Sequence, residues 1–144
     1  MTAKRGFLFL WLPILGLLIL FACSKDNKPS GPPTYYQGGL AVANQSEVPI
    51  TIVEMIQKRG TQEVHLRMGN SLHPGFSLPL HNIIDEGNSL IFPGGDKVTV
   101  QFVAEEPDPN NPGQPLFQNS VQLTINGNIV LQVKSGGHYE ISGG

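Results

Sequence analysis

The single cysteine of the chain, Cys23, is the residue whose side chain is best suited to a covalent reaction. It lies in the stretch LILFACSKDN, residues 19–28, where a long apolar run gives way to charged residues. A lone thiol cannot close a disulfide within its own chain, and in an oxidising compartment an exposed free thiol is a liability. We therefore expect Cys23 to be consumed by a covalent modification. The alternative is a plain secretory signal, or an uncleaved anchor, with an incidental cysteine.

The segment before Cys23 has the features of a targeting sequence. Lys4 and Arg5 precede an apolar stretch, GFLFLWLPILGLLILF, at residues 6–21. As a helix rising about 1.5 Å per residue it would cover roughly 24 Å, which is less than the hydrocarbon core of about 30 Å. Pro13 would also kink such a helix. These features predict a signal peptide over residues 1–22 rather than a membrane span.

Residues 20–23, Leu-Phe-Ala-Cys, resemble the lipobox of bacterial lipoproteins, in which an aliphatic and a small residue precede the modified cysteine. The resemblance implies cleavage before Cys23, a diacylglycerol on its sulfur and an acyl chain, such as palmitate, on its new amino group. Two or more acyl chains make anchoring to a membrane stable. Ser24 follows the cysteine where an Asp would signal retention, which implies forwarding to the outer membrane. The periplasmic and surface faces both remain open.

Few side chains are arranged for catalysis. The sequence lacks a Gly-x-Ser-x-Gly elbow, a phosphate-binding loop and a His-Glu-x-x-His pair, each of which would mark a known chemistry. Carboxylates do crowd together in AEEPDPNNPGQP, residues 104–115, but Pro112 stands where a calcium loop needs an oxygen ligand and no Glu closes it. We expect a solvated hairpin loop stiffened by prolines, no catalytic residues and no enzymatic activity.

Four side chains within residues 65–81 are of the types that bind copper, since imidazole and thioether groups suit that metal. His65 and Met68 are followed by His73 and His81. In a strand, positions three apart point to opposite faces, so Met68 should enter the core while His65 faces solvent. We therefore predict no metal site and no cofactor, with a copper-type or small-ligand site kept as the alternative function.

The net charge of the mature chain bears on its partners, and the composition of its first residues bears on their flexibility. Two of the nine basic residues and none of the eleven acidic ones precede Cys23, which leaves a net charge of −4 after cleavage. This charge argues against a nucleic-acid partner. Residues 23–35 contain SKDNKPSGPPT, which is polar and rich in Pro, Ser and Gly, so they are expected to be a flexible, lipidated tether.

From residue 36 onward apolar and polar residues alternate with a period of two, which is typical of half-buried strands. The alternation is clearest where Val98, Val100 and Phe102 are separated by polar residues. Similar short runs recur at 39–43, 48–56, 64–68, 76–80, 90–92, 121–125, 129–133 and 139–141. The pattern predicts an all-β domain over 36–144. We expect an immunoglobulin-like two-sheet β-sandwich of about eight short, mostly antiparallel strands, or alternatively a small β-barrel.

Three local features refine this prediction. Residues 48–56 are apolar on both faces, as in a central strand, whereas Pro79 lacks a backbone donor and places its run at a sheet edge. Asn126-Gly127 separates two alternating runs and predicts a type I′ hairpin turn between them.

Exposed groups that could contact a partner are His65 with Arg67, His138 with Glu140, and the tyrosine pair at 35–36. Tyrosine is frequent in protein interfaces. Together these features lead us to expect a lipid-anchored, non-enzymatic interaction or accessory module of the bacterial cell envelope. Its partners would be the membrane, through Cys23, and an envelope protein.

Overall fold

The strands of this protein form where apolar side chains alternate with polar ones. The structure, a computed structural model, describes residues 37–85, 87 and 89–143. The predicted signal peptide (1–22), Cys23, the tether (23–35) and the tyrosine pair lie outside the described residues. The strands are β1 (Leu40–Asn44), β2 (Ile50–Arg59), β3 (Gln62–Leu72), β4 (Ser77–Leu80), β5 (Lys97–Ala104), β6 (Pro107–Asp108), β7 (Asn111–Pro115), β8 (Gln118–Thr124), β9 (Ile129–Val133) and β10 (Tyr139–Gly143).

Eight of these strands form two four-stranded sheets. The first sheet has the order β10-β9-β1-β4 and the second has the order β3-β2-β5-β8. Every neighbouring pair is antiparallel except β1 and β9, which run parallel. Within the described residues the two sheets share no strand pair, so they form the predicted β-sandwich and not a closed barrel.

The core fills the space between the two sheets. On β5, the side chains of Val98, Val100 and Phe102 are buried while the residues between them face outward, as the alternation predicts. Burying a large apolar side chain contributes about 1.5–3 kcal/mol to stability. The largest fully buried apolar residues come from both sheets and from the connections before β5 and after β8: Phe92, Phe102, Ile50, Ile52, Met55, Leu80, Ile125 and Leu131.

The β2–β3 hairpin is the longest local unit, with strands of 10 and 11 residues. Arg59 pairs with Gln62, so the turn consists of Gly60 and Thr61 alone. Gly60 has φ +58°, and glycine at the first position of a two-residue loop is what a tight hairpin favours. β2 lies between β3 and β5, which confirms the predicted central strand.

The predicted hairpin at Asn126-Gly127 is wrong. β8 pairs with β5 in the second sheet, whereas β9 pairs with β1 and β10 in the first, so residues 125–128 cross between the sheets. Ile125 is held by the backbone of the connection between β4 and β5: Gly95 N donates to its carbonyl and its own N–H donates to the carbonyl of Asp96, both at 2.8 Å. These non-local hydrogen bonds outweigh the local turn preference.

One of the two remaining strand predictions is confirmed and the other is not. Pro79 lies in β4 at the edge of the first sheet, as predicted. Residues 90–92, expected as a strand, form only one bridge, between Phe92 and Gly38. In the described part of the chain the helical content is a three-residue 3-10 turn, Ser135–Gly137, and no helix there could cross a bilayer.

Candidate functional site

The two ends of the sandwich carry different surfaces. The described chain begins at Gln37 and runs into β1, which ends at Asn44. We call the end that contains Gln37 the entry end and the end that contains Asn44 the far end. The end of β4 lies at the entry end, because Leu80 pairs with Leu40 of β1. The connection that follows β4 contacts Arg59 through Asp96, so the β2–β3 turn next to Arg59 lies at the entry end too.

A polar cluster closes the entry end, and we call it the entry-end network. Gln57, Asn82 and Asp96 are each at most 2% exposed. Gln57 Nε2 donates to Asn82 Oδ1 at 2.8 Å and to Asp96 Oδ2 at 2.7 Å. Arg59 Nε donates to Asp96 Oδ1 at 2.8 Å, and Arg59 Nη1 donates to Asp85 Oδ1 at 2.8 Å. The network therefore ties β2 to the connection between β4 and β5.

The charges of this network stabilise one another. Hydrogen bonds first to Asp96 and then to Asp85 raise the pKa of Arg59 above its already high usual value. The pKa of Asp85 is lowered, first by its hydrogen bond with Arg59 and then by that with Asn82. No buried side-chain nitrogen or oxygen among the described residues lacks a partner. Every buried side-chain nitrogen and oxygen of the entry-end network therefore has a hydrogen-bond partner.

An apolar depression of about 500 Å³ lies beside this network, on the outer face of the first sheet. We call it the entry groove. Leu90 and Ile91 form part of its wall and are 45% and 53% exposed, which is high for large apolar side chains. Asn128 Oδ1 already accepts a hydrogen bond from Gly39 N at 2.8 Å. The other lining residues are Gln37, Gly38, Leu40, Ala41, Pro79, Ile129 and Val130.

The far end carries a short proline-rich hairpin, β6–β7, which we call the ribbon. Pro107 pairs with Pro115, and Asp108 pairs with Asn111. Asp108 Oδ1 accepts the backbone N–H of Asn110 at 2.8 Å, so this carboxylate stabilises a turn, as Asp often does. The expectation of an exposed hairpin loop is confirmed.

The base of the ribbon is held to the sandwich by Glu105. Its Oε1 accepts a hydrogen bond from Thr51 Oγ1 at 2.9 Å, and its backbone N–H donates to Pro49 O at 2.9 Å. Hydrogen bonds with Ser71 first and Thr51 second lower the pKa of Glu105. Because Thr51 and Ser71 lie on β2 and β3, one carboxylate links the ribbon to two strands. The ribbon thus has a fixed base and an exposed tip.

Large apolar side chains are exposed at the same end. Phe76 is 65% exposed in the turn before β4, and its carbonyl accepts a hydrogen bond from Asn44 N at 2.9 Å. Leu116, at the end of the ribbon, is 38% exposed. Aromatic and large apolar groups of this kind supply much of the contact area in protein interfaces.

The side chains considered for a copper site do not come together. Met68 packs partly against the core, whereas the His65 side chain is 51% exposed and faces Glu54 and Glu63 at 3.2 and 3.0 Å. Within the described ranges, no group of three or more His, Cys, Asp or Glu side chains is placed to hold a metal ion. The expected separation of His65 and Met68 onto opposite faces is confirmed.

The other predicted contact residues are spread over the molecule. Arg67 lies on β3 opposite Glu54. Glu140 on β10 forms an ion pair with Lys134 at 3.1 Å, and His138 precedes that strand with its side chain exposed. These groups lie on different sheets and do not form one site.

Sequence reasoning missed the entry-end network and the entry groove. The signal for the network was Gln57, a polar residue at an inward-facing position of β2, two places beyond the buried Met55. The groove had no local signal. Its walls come from β1, β4, β9 and the connection before β5, which only the topology brings together.

No protein-family model matches this chain, and no curated protein matches it either. Among solved structures, a trapped toxin is 12% identical with a TM-score of 0.40, and a disulfide-locked mutant of intermedilysin with human CD59 is 10% identical with a TM-score of 0.39. A non-hemolytic pneumolysin from Streptococcus pneumoniae is 13% identical with a TM-score of 0.35. Each match covers 75% of this chain, which spans only about a quarter of those proteins (23%, 24% and 23%).

Proposed function

We propose that this protein is a lipid-anchored, non-enzymatic interaction module of the bacterial cell envelope. Cys23 would carry the lipid, residues 24–35 would form the tether, and the far end would contact a protein partner. The placement in the outer membrane follows from Ser24 after the lipidated cysteine and belongs to the same proposal.

The observation that carries this proposal is the position of the ribbon. The chain enters the sandwich at Gln37, and the ribbon lies at the opposite end, beyond Ala104. A domain attached to a membrane through its entry end would have its far end farthest from the point of attachment. The ribbon, Phe76 and Leu116 would then lie at the end of the domain opposite the tether.

The physical character of the ribbon suits a binding role. Proline fixes the backbone φ angle near −65°, and the segment from Pro107 to Pro115 contains four prolines. A backbone that is already ordered has less conformational entropy to lose when a partner binds. The fixed base at Glu105 limits the motion of the ribbon further, since its carboxylate is hydrogen-bonded to β2 and β3.

Site-specific photo-crosslinking in the native envelope tests this proposal. A photoreactive amino acid at Gln114 in the ribbon should capture one reproducible partner, which mass spectrometry would identify. The same amino acid at Gln122, an exposed residue of β8, is the matched control and should capture that partner poorly. A Cys23→Ser variant should lose both the membrane association and the capture. Equal capture at Gln114 and Gln122, or none at either with the domain folded, would reject the far end as the contact surface.

A second candidate function rests on the entry groove. Its volume of about 500 Å³ lies within the range typical of small-molecule sites, roughly 300–1,000 Å³. The apolar wall that includes Leu90, Ile91 and Pro79 would take a small apolar ligand. Native mass spectrometry of the protein extracted from its membrane should then show a bound mass, and Ile91→Asp should remove it. Ile141→Asp, an equally exposed change on β10, should not.

A further inference from the structure

The long edge strand β3 has the properties of a self-pairing surface. We propose that β3 pairs with β3 of a second copy, antiparallel and centred on His65, so that the four-stranded second sheets of the two copies join into one eight-stranded sheet. Strand edges present unpaired backbone N–H and C=O groups and readily accept another strand. Among the described residues β3 pairs only with β2, and at 11 residues it is the longest strand.

The edges of the first sheet are less suited to pairing, and β8, the other edge of the second sheet, is shorter than β3 at seven residues. β4 has four residues and contains Pro79, which lacks a donor. β10 has five residues and ends in glycine. β3 contains no proline, and its residues Gln62–Arg67 pair one-to-one with β2, from Arg59 opposite Gln62 to Glu54 opposite Arg67. Beyond Arg67 the register shifts, so this six-residue stretch is the regular part of the edge.

Apolar side chains at this edge are left partly uncovered. Leu66 lies opposite the buried Met55, on the core side of the sheet, yet it is 41% exposed. Val64 lies opposite the buried Gln57 and is only half-buried. In a pair centred on His65, each Val64 faces Leu66 of the other copy. Both residues would then be covered by an apolar neighbour, which stabilises cross-strand pairs.

Charge complementarity selects this register. Glu63 and Arg67 both lie on the outer face of β3, opposite Lys58 and Glu54 of β2. With His65 at the centre, each Glu63 faces Arg67 of the other copy, so two opposite-charge pairs form. A pair centred on Leu66 would instead place Glu63 opposite Gly69, so neither of the two opposite-charge pairs would form. A shift by one residue would join the outer face of one sheet to the core face of the other.

A charge exchange tests the pairing. Sedimentation analysis of the full chain in detergent should show a concentration-dependent dimer. Glu63→Arg and Arg67→Glu should each weaken the dimer about tenfold, because like charges then face each other twice. The double variant Glu63→Arg/Arg67→Glu should restore the dimer, since the opposite charges return with exchanged positions. A monomer at all concentrations of the unaltered chain would overturn the proposal.

Disulfide cross-linking tests the register independently. Directly opposite residues of an antiparallel pair have Cα atoms about 4.5–5.5 Å apart, which suits a disulfide. In the full chain carrying Cys23→Ser, His65→Cys should therefore cross-link two copies on mild oxidation, whereas Gln122→Cys on the opposite edge strand, β8, should not. Equal cross-linking at both positions, or none at His65→Cys with the fold retained by circular dichroism, would reject the β3 pairing.

Discussion

Arg59 and Asp96 form a two-point ion pair at the entry end, with Arg59 Nε 2.8 Å from Asp96 Oδ1 and Arg59 Nη2 2.9 Å from Asp96 Oδ2. Asp96 is 1% exposed, so its charge depends on this guanidinium and on Gln57 for compensation. Removing one partner of a buried ion pair leaves an uncompensated charge and is strongly destabilising.

We expect Arg59→Met to lower the free energy of unfolding by about 3 kcal/mol. Urea denaturation at neutral pH measures this change. Lys97→Met removes a positive charge at an exposed position outside the network and should change the free energy by less than about 0.5 kcal/mol. Similar effects of both substitutions would show that the entry-end network contributes little to stability.

Gly38 offers a second test, because its backbone lies directly against that of Gly127. A Cβ atom at Gly38 would lie 1.8 Å from the carbonyl oxygen of Gly127, so Gly38→Ala must move the crossing segment. We expect a loss of about 1–3 kcal/mol, the usual cost of overpacking, measured by thermal or urea denaturation. At Gly39 the nearest atom is the movable Asn128 side chain, at 3.3 Å. Gly39→Ala should therefore be clearly milder, and an equal loss would contradict this explanation.

The alternation of side chains was sufficient to predict an all-β domain, for which a sandwich was expected and a small barrel was the alternative. Val98, Val100 and Phe102 face the core because a strand places alternate residues on opposite faces. Pro79 indicated an edge strand for an equally local reason, the missing backbone donor. Properties that one strand carries by itself were therefore predictable from sequence.

Pairing and surface shape were not predictable in this way. Asn126-Gly127 has a strong local turn preference, but Ile125 is held by Gly95 and Asp96, some thirty residues earlier in the chain. The entry groove and the entry-end network likewise depend on segments that are distant in sequence. Of the candidate site, the exposed proline ribbon was anticipated because prolines act on their own backbone.

His65 provides a pH-dependent prediction. Hydrogen bonds to Glu63 first and Glu54 second raise the pKa of its imidazole. Because the folded pKa lies above the unfolded value, the stability that His65 contributes is fully present below about pH 6.5. It is lost as the pH rises through the folded pKa.

NMR titration of the His65 imidazole measures that pKa. Glu63→Gln replaces the carboxylate that lies 3.0 Å from the His65 ring with a neutral amide and should lower the pKa of His65. Glu47→Gln, at an exposed position in the β1–β2 connection, should leave it unchanged. If the His65 pKa were the same in the unaltered chain and in Glu63→Gln, the contact at 3.0 Å would not persist in solution.

Asn44 has a buried side chain at the far end, where its amide nitrogen donates hydrogen bonds and its amide oxygen accepts them. Its Nδ2 donates to Leu72 O at 2.7 Å and to Val48 O at 2.9 Å, while its Oδ1 accepts from Ser46 N and Ser46 Oγ. Asn44→Asp keeps the shape but places a carboxylate oxygen against two carbonyl oxygens. The unsatisfied carbonyls and the buried charge should both destabilise the fold.

The cost of Asn44→Asp should depend on pH, because burial beside carbonyls raises the pKa of the new carboxyl above its unfolded value of about 3.9. The loss of stability relative to the unaltered chain should therefore be larger at pH 7 than at pH 4, where the acid is largely protonated in the fold and can donate one hydrogen bond. Urea denaturation at both pH values measures the difference. Asn111→Asp, in the exposed ribbon, should show little loss at either pH. An equal loss at pH 4 and pH 7 for Asn44→Asp would mean that this side chain rearranges toward solvent, so that the far end is more adaptable than its buried hydrogen bonds indicate.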